Sequence, residues 1–228
     1  MSPEQEQTIL DLRAQNHTPR QIAAALKLRV SEVRSVIATH GDGPIFTLAT
    51  KGDLPPIYEC LVDQTCADYL LDGHQPEDLP QSCLGLVAVA RLKGMDRVSV
   101  CTYLVDYLCL GVKDTMKPQQ CDRAQYPDFV RRFYGAFPAG YRAIALSEAQ
   151  AIVFGAVDYA ARLGFNPHPD FEQTLYHLGH WPGEPVLRFG YRDRPLYING
   201  PYDDNRQVIK MLEINVGRNQ FDYILGVG

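Results

Sequence analysis

The sequence predicts an α+β fold, in which a small N-terminal three-helix unit precedes a mixed, mainly antiparallel sheet with packed helices. Three observations favour this class. Apolar residues recur at helical spacing over the first forty positions. Pairs of strand-like segments joined by short turns follow further along the chain. Separate helical patterns are mixed with these pairs, whereas a doubly wound parallel sheet would alternate strands and helices regularly.

The N-terminal unit is predicted to contain three helices. The first runs from about Pro3 to Gln15. The second has Thr18 as its N-cap and Pro19 at its first position, where the missing N–H costs nothing. The third runs from Glu32 to about Thr39, with Ser31 as its N-cap. Six apolar residues suffice for a small common core: Ile9, Leu12, Ile22, Leu26, Val33 and Val36.

The spacing of these helices matches a helix-turn-helix, and the segment resembles the helix-turn-helix segments of bacterial regulators and transposases. Those families usually place Gly in the turn before the third helix, where this chain has Leu26 to Val30. DNA is therefore a candidate partner of this unit. Four basic residues are the candidate nucleic-acid contacts: Arg20, Lys27, Arg29 and Arg34.

The charge of the unit leaves a second interpretation open. Residues 1–41 contain five basic and four acidic side chains, so only one net positive charge remains. A free-standing DNA-binding domain normally has a stronger basic face. The alternative is a helical module that packs on the rest of the chain or mediates formation of a homodimer.

The bulk composition predicts a cytoplasmic protein without a membrane span. The net charge of −5 argues against general coating of nucleic acid and against binding to an anionic membrane. No apolar run approaches the roughly 20 residues that a membrane-spanning helix needs. Residues 1–6 lack the basic and apolar regions of a signal peptide.

A boundary is predicted near His40–Pro44, where two glycines and a proline end the third helix. We therefore expect a helix-turn-helix unit over residues 1–41, a linker over residues 42–56 and an α+β domain over residues 57–228. Strands are predicted at Ile57–Val62, Leu84–Leu92 and Arg97–Tyr107, and the last two form a hairpin. The segment from Val98 to Val105 is almost entirely apolar, which is typical of a central strand that is covered on both faces.

The C-terminal half is predicted to combine helices with a second hairpin. The helices are expected at about 128–137, at 147–163 with Ser147 as N-cap, in a short stretch ending near residue 179, and at 205–215. The hairpin pairs residues 185–189 with residues 195–198. Residues 221–227 are expected to pair into the interior of the main sheet.

Five segments together resemble a family of uncharacterised bacterial proteins. They are Pro56–Cys60, Leu104–Asp114, Phe154–Ala160, Leu163–Phe171 and Asn199–Asp204. The resemblance covers about residues 56–227, and some members of that family carry a similar helix-turn-helix in front. It implies an α+β domain behind such a unit, and it implies no activity.

Carboxylates at the ends of predicted elements are candidates for metal-dependent chemistry. Hard oxygen ligands hold Mg²⁺ or Mn²⁺, which can activate water and neutralise a phosphate. The candidate metal ligands are Asp106, Asp114, Asp203 and Asp204. The candidate catalytic residues are Asp106, Asp158 and His168. The structural alternatives are helix caps for Asp203 and Asp204 and a hydrogen-bonded turn for His168. For Asp158 the alternative is a pair with Arg162, four residues later, and for Asp106 it is exposure to solvent or a pair with Lys113.

The six cysteines fit a reducing compartment, because none forms the closely spaced pairs of a zinc finger or ribbon. A looser zinc set would be Cys60, Cys66, His74 and Cys83. A nucleophilic pair of Cys109 with His168 is a further alternative, although an apolar environment raises the pKa of a thiol.

Three functional hypotheses follow from the sequence. The leading one is a nucleic-acid-binding or regulatory protein that uses the helix-turn-helix. The second is a metal-dependent hydrolase or nuclease that uses the carboxylates of the α+β domain. The third is a non-catalytic protein-interaction module.

Overall fold

The computed structural model describes residues 2–14, 19–40, 54–80 and 82–226. The helices of this part are α1 Pro3–Ala14, α2 Pro19–Leu26, α3 Val30–His40, α4 Gln64–Leu70, α5 Tyr126–Tyr134, α6 Leu146–Arg162, α7 Phe171–Leu178 and α8 Asn205–Asn215. Its strands are β1 Ile57–Asp63, β2 Leu84–Leu92, β3 Arg97–Asp106, β4 Gly111–Asp122, β5 Tyr141–Ala143, β6 Leu196–Ile198 and β7 Asp222–Ile224. Of the predicted linker, residues 42–53 lie outside the described ranges.

The main sheet has five strands in the order β4-β3-β2-β1-β5, and each neighbouring pair is antiparallel. The α+β class with a mainly antiparallel sheet is therefore confirmed. The predicted hairpin is present as β2 and β3, paired from Leu84 opposite Asp106 to Leu92 opposite Val98. None of the described helices is long and apolar enough to cross a membrane.

Strand β3 lies inside the sheet, and both of its faces are covered, as its apolar sequence predicts. Val98 and Val100 pack in a cluster with the buried aromatic residues of α5. Cys101, Tyr103 and Val105 point to the opposite face, where α6 and α7 supply the cover. The alternation of side chains along a strand distributes this one apolar run between two cores.

The predicted pairing of the C-terminal strands is wrong. Strand β6 does not form a hairpin with residues 185–189; it pairs in parallel with β7 in a separate two-stranded sheet. The turn before β6 closes locally, because the N–H of Tyr191 donates to the carbonyl oxygen of Arg194 at 2.7 Å. Strand β7 consequently pairs with β6, and the interior of the main sheet is filled by β1, β2 and β3.

Helices α3 and α6 begin earlier than predicted. In each, the N–H of the residue before the helix donates to a glutamate three residues later, and the serine that was predicted as the N-cap lies within the first turn. The backbone N–H of Arg29 donates to the Glu32 carboxylate at 2.8 Å, so α3 begins at Val30 and Ser31 lies inside its first turn. The N–H of Ala145 donates to Glu148 at 2.7 Å in the same way, and α6 begins at Leu146. A carboxylate in the first turn also interacts favourably with the helix dipole.

Candidate functional site

The three N-terminal helices pack around a hydrophobic core of their own. Helix α3 contacts both α1 and α2, and α1 contacts α2. The buried side chains are Ile9, Ile22, Ala23, Val33, Val36 and Ile37. Four of the six core residues expected from the sequence are among them, and the other two, Leu12 and Leu26, are partly buried against the cluster.

The connection between α2 and α3 is a three-residue turn that begins with a left-handed residue. Lys27 directly follows α2 and has a φ of +55°, a conformation that a non-glycine residue rarely adopts. The N–H of Leu28 donates to the carbonyl oxygen of Ala23 at 3.0 Å, which closes the end of α2. Lys27 therefore adopts the conformation that a glycine would give this turn, at a cost of about 1 kcal/mol.

Charge is unevenly distributed over these helices, although the unit as a whole is almost neutral. Helix α1 carries three carboxylates and one arginine. From Pro19 to His40 the chain carries four cations and a single carboxylate, Glu32, which gives three net positive charges. The side chains of Lys27 and Arg29 are exposed. Arg20 lies on α2 and Arg34 on α3, and their side chains lie outside the described part of the structure.

Among the carboxylates singled out from the sequence, Asp106 is the most deeply buried. It lies at the end of β3, and its Oδ1 accepts hydrogen bonds from the N–H groups of Leu108 at 3.0 Å and Cys109 at 2.9 Å. Its Oδ2 is buried and has no hydrogen-bond partner among the described residues. Burial raises the pKa of Asp106 to about 6, although the two N–H groups and the charge of Lys113 act to lower it.

Asp203 is already paired with a cation. The Nζ of Lys113 lies 2.7 Å from its Oδ1 and 2.8 Å from its Oδ2. The N–H of Gly200 also donates to Oδ2 at 2.9 Å. The neighbouring Asp204 is the N-cap of α8, where it accepts from the N–H of Gln207 at 3.1 Å. Both aspartates therefore have the structural partners that a capping or pairing role requires.

Asp114 and His168 have contacts of their own. The Oδ1 of Asp114 is 3.9 Å from Nε2 of His168 and accepts from the N–H of Thr115 at 2.7 Å. The Nδ1 of His168 accepts from the N–H of Asp170 at 3.2 Å, as expected for a turn histidine. Asp158 is half-buried on α6.

The carboxylates converge only in part. Asp106 and Asp203 both raise the pKa of the Cys109 thiol and of the Tyr197 hydroxyl, so the two carboxylates share one electrostatic neighbourhood. Lys113 lies in that neighbourhood too and opposes them. Across the described ranges, no group of three or more His, Cys, Asp or Glu side chains is arranged to hold a metal ion, and this includes the looser cysteine–histidine set.

The geometry does not favour Cys109 as a nucleophile. Cys109 is fully buried. Its burial, and to a smaller extent the nearby Asp106 carboxylate, raise the pKa of the thiol far above the ordinary value. Such a thiol stays protonated, whereas the thiolate is the reactive form.

Comparisons with known proteins give no assignment. No protein-family model, curated protein or solved structure matches the chain. The resemblance to a bacterial family therefore stays a prediction.

Two buried polar residues have structural importance that the sequence pattern alone does not reveal. Asp63 ends β1 and accepts from the N–H groups of Cys66 at 3.0 Å and Leu86 at 2.8 Å, so it caps α4 and joins that helix to β2. Arg91 is buried near the end of β2. The only sequence feature that marks either of them is a charge directly at the end of an apolar run.

Proposed function

We propose that the chain binds duplex DNA through α2, the turn after it and α3, and that it acts as a regulatory protein. The observation that carries this proposal is the concentration of positive charge on one half of the N-terminal unit. Three net positive charges lie between Pro19 and His40, while the remainder of the chain carries eight net negative charges. Cations that neutralise phosphates supply most of the affinity for DNA.

The local geometry supports the same assignment. Two helices joined by a tight three-residue turn are the arrangement in which the second helix can enter the major groove. Lys27 and Arg29 project into solvent from that turn, beside the start of α3. Ser31 and Ser35 are exposed one helical turn apart on α3, and hydroxyl groups can contact base edges or phosphates.

Both the affinity and the specificity of this binding are expected to be limited. One carboxylate, Glu32, lies at the start of α3, and the negative charge of the remainder repels DNA. A single unit with at most four phosphate contacts gives weak, salt-sensitive binding. Tighter binding would need a second unit on an adjacent half-site.

The test measures the anisotropy of a fluorescent duplex of random sequence, titrated with the full-length chain at about 50 mM salt. The variant Arg29→Ala/Arg34→Ala should weaken binding by at least tenfold. The matched control, Lys117→Ala/Lys210→Ala, removes the same charge from exposed positions on β4 and α8. Equal losses in the two variants would show that binding follows total charge and would overturn the assignment to α2 and α3. Wild-type protein that fails to bind would leave the three helices a structural or interaction module.

A further inference from the structure

Arg91 is a buried cation without a carboxylate partner in the described part of the chain. Arg91 is only 5% exposed. The guanidinium donates from Nε to the carbonyl oxygen of His177 at 2.7 Å, from Nη1 to that of Pro55 at 2.7 Å, and from Nη2 to that of Leu178 at 3.3 Å. All three acceptors are neutral backbone groups.

The end of α7 compensates only part of this charge. The carbonyls of His177 and Leu178 belong to the last turn of α7, where the helix dipole amounts to about half a negative charge. His177 adds no charge, because its burial, and to a smaller extent the nearby Arg91, lower its pKa to about 4. A guanidinium has five N–H donors, so two remain beyond the three that these bonds use.

A cleft of about 610 Å³ lies beside Arg91, between the β2–β3 turn, the end of α7 and the residues that precede β1. Its polar lining includes Arg91, Lys93, Ser99 and Tyr176, and none of its lining residues in the described ranges is a carboxylate. Leu54, Pro55, Pro56 and Leu92 supply apolar walls. A volume of this size is typical of sites for small molecules.

We infer that this cleft binds a small organic carboxylate with an apolar body. The buried Arg91 and the exposed Lys93 provide two positive charges to the anionic end, and an arginine fork suits a planar carboxylate. The apolar walls bury the remainder of the ligand. The inference is independent of DNA binding, because every residue it uses lies at or beyond Leu54.

The conformation at Gly179 keeps the site compact. Gly179 follows α7 with a φ of +82°, and a Cβ there would lie 3.0 Å from Cδ1 of Leu54 and 3.4 Å from Nη2 of Arg91. Glycine therefore allows Leu54 and the guanidinium to approach the end of α7 together.

The test compares matched pairs of charged and neutral probes: acetate with acetamide, benzoate with benzamide, and 4-phenylbutanoate with 4-phenylbutanamide. Each is titrated into ¹⁵N-labelled full-length protein up to about 10 mM, a range that detects dissociation constants in the millimolar region. We expect the two carboxylates with apolar bodies to shift the amide signals of Gly94, Ser99 and His177. They should bind at least tenfold more tightly than their amides and more tightly than acetate.

Charge variants distinguish binding of the carboxylate at the cleft from non-specific binding to the protein surface. Lys93→Glu reverses an exposed charge at the cleft and should weaken carboxylate binding at least fivefold, whereas Lys117→Glu on β4 should leave it unchanged. Arg91→Gln should abolish binding if it folds, and Lys93→Glu carries the test if it does not. The proposal is overturned if no carboxylate shifts the three signals, if amides bind as well as carboxylates, or if Lys93→Glu has no effect.

Discussion

Lys113 on β4 holds Asp203 from ninety residues away, with its Nζ 2.7 Å from one carboxylate oxygen and 2.8 Å from the other. The Lys113 side chain is 21% exposed and the Asp203 side chain only 10%. The pair therefore joins the edge of the main sheet to the segment between β6 and α8. It also neutralises a carboxylate that the sequence suggests as a metal ligand.

Asp203→Asn should destabilise the protein by about 1–2 kcal/mol, since it leaves the half-buried Lys113 without its counter-charge. The loss stays below that of a fully buried pair, because water still reaches the lysine. Urea unfolding measures the change. Asp122→Asn, which breaks the exposed pair with Arg97, should cost less than about 0.5 kcal/mol. Equal effects of the two substitutions would contradict this account of the Lys113 pair.

Addition of Mg²⁺ or Mn²⁺ at about 5 mM should leave the melting temperature unchanged, because a ligand stabilises only the state that binds it. Asp203 is already paired, and the described residues offer no three-ligand group. Differential scanning fluorimetry measures this. A metal-dependent rise that Asp106→Asn abolishes would instead restore the hydrolase hypothesis.

Asp106 should make stability fall as the pH rises from about 4 to about 6. Its pKa is about 6 in the folded protein and close to 3.8 in the unfolded chain, so the folded state keeps its proton longer. The stabilisation is therefore complete below pH 3.8 and lost above pH 6.

Asp106→Asn imitates the protonated side chain, and its Oδ1 can still accept from Leu108 and Cys109. Relative to wild type, the variant should gain stability between pH 4 and pH 7, by at most about 3 kcal/mol at 1.36 kcal/mol per unit of pKa. Urea unfolding at both pH values gives the difference. A gain that does not depend on pH would show that the buried carboxyl does not titrate in this range.

Val100→Asp should destabilise the protein by about 3–5 kcal/mol, because it places an unpaired charge between the sheet and α5. The control is Gln119→Asp on β4, the exposed residue that pairs with Val100, and it should change stability by less than about 0.5 kcal/mol. A small effect of both substitutions would mean that this face of β3 is open to water.

Local patterns predicted the elements that depend on local sequence. The β2–β3 hairpin and the limits of α8 match the prediction, because an apolar run, a short turn and a capping aspartate specify them. Strand β4 escaped prediction, since it is an edge strand whose sequence from Lys113 to Pro118 is mostly polar. Backbone hydrogen bonds to β3 hold β4 in the sheet, so its sequence does not need the apolar periodicity by which a strand is predicted.

Long-range relationships could not be predicted from spacing. The parallel pairing of β6 with β7 joins residues about 26 positions apart through only three residues each. The Lys113–Asp203 pair and the contacts of Arg91 with α7 likewise join residues about 90 positions apart in the sequence. The sequence did suggest a partner for Lys113, but it pointed to Asp106, which the structure buries instead.

The dependence of DNA affinity on salt tests the central claim most directly. With up to four phosphate contacts per chain, the logarithm of the binding constant should fall against the logarithm of salt with a slope of about −3.6 at most. Arg29→Ala/Arg34→Ala should reduce that slope by up to about 2 units, while Lys117→Ala/Lys210→Ala leaves it unchanged. A slope that the first variant does not alter, or the absence of duplex binding at about 50 mM salt, would contradict the proposal that α2 and α3 bind DNA.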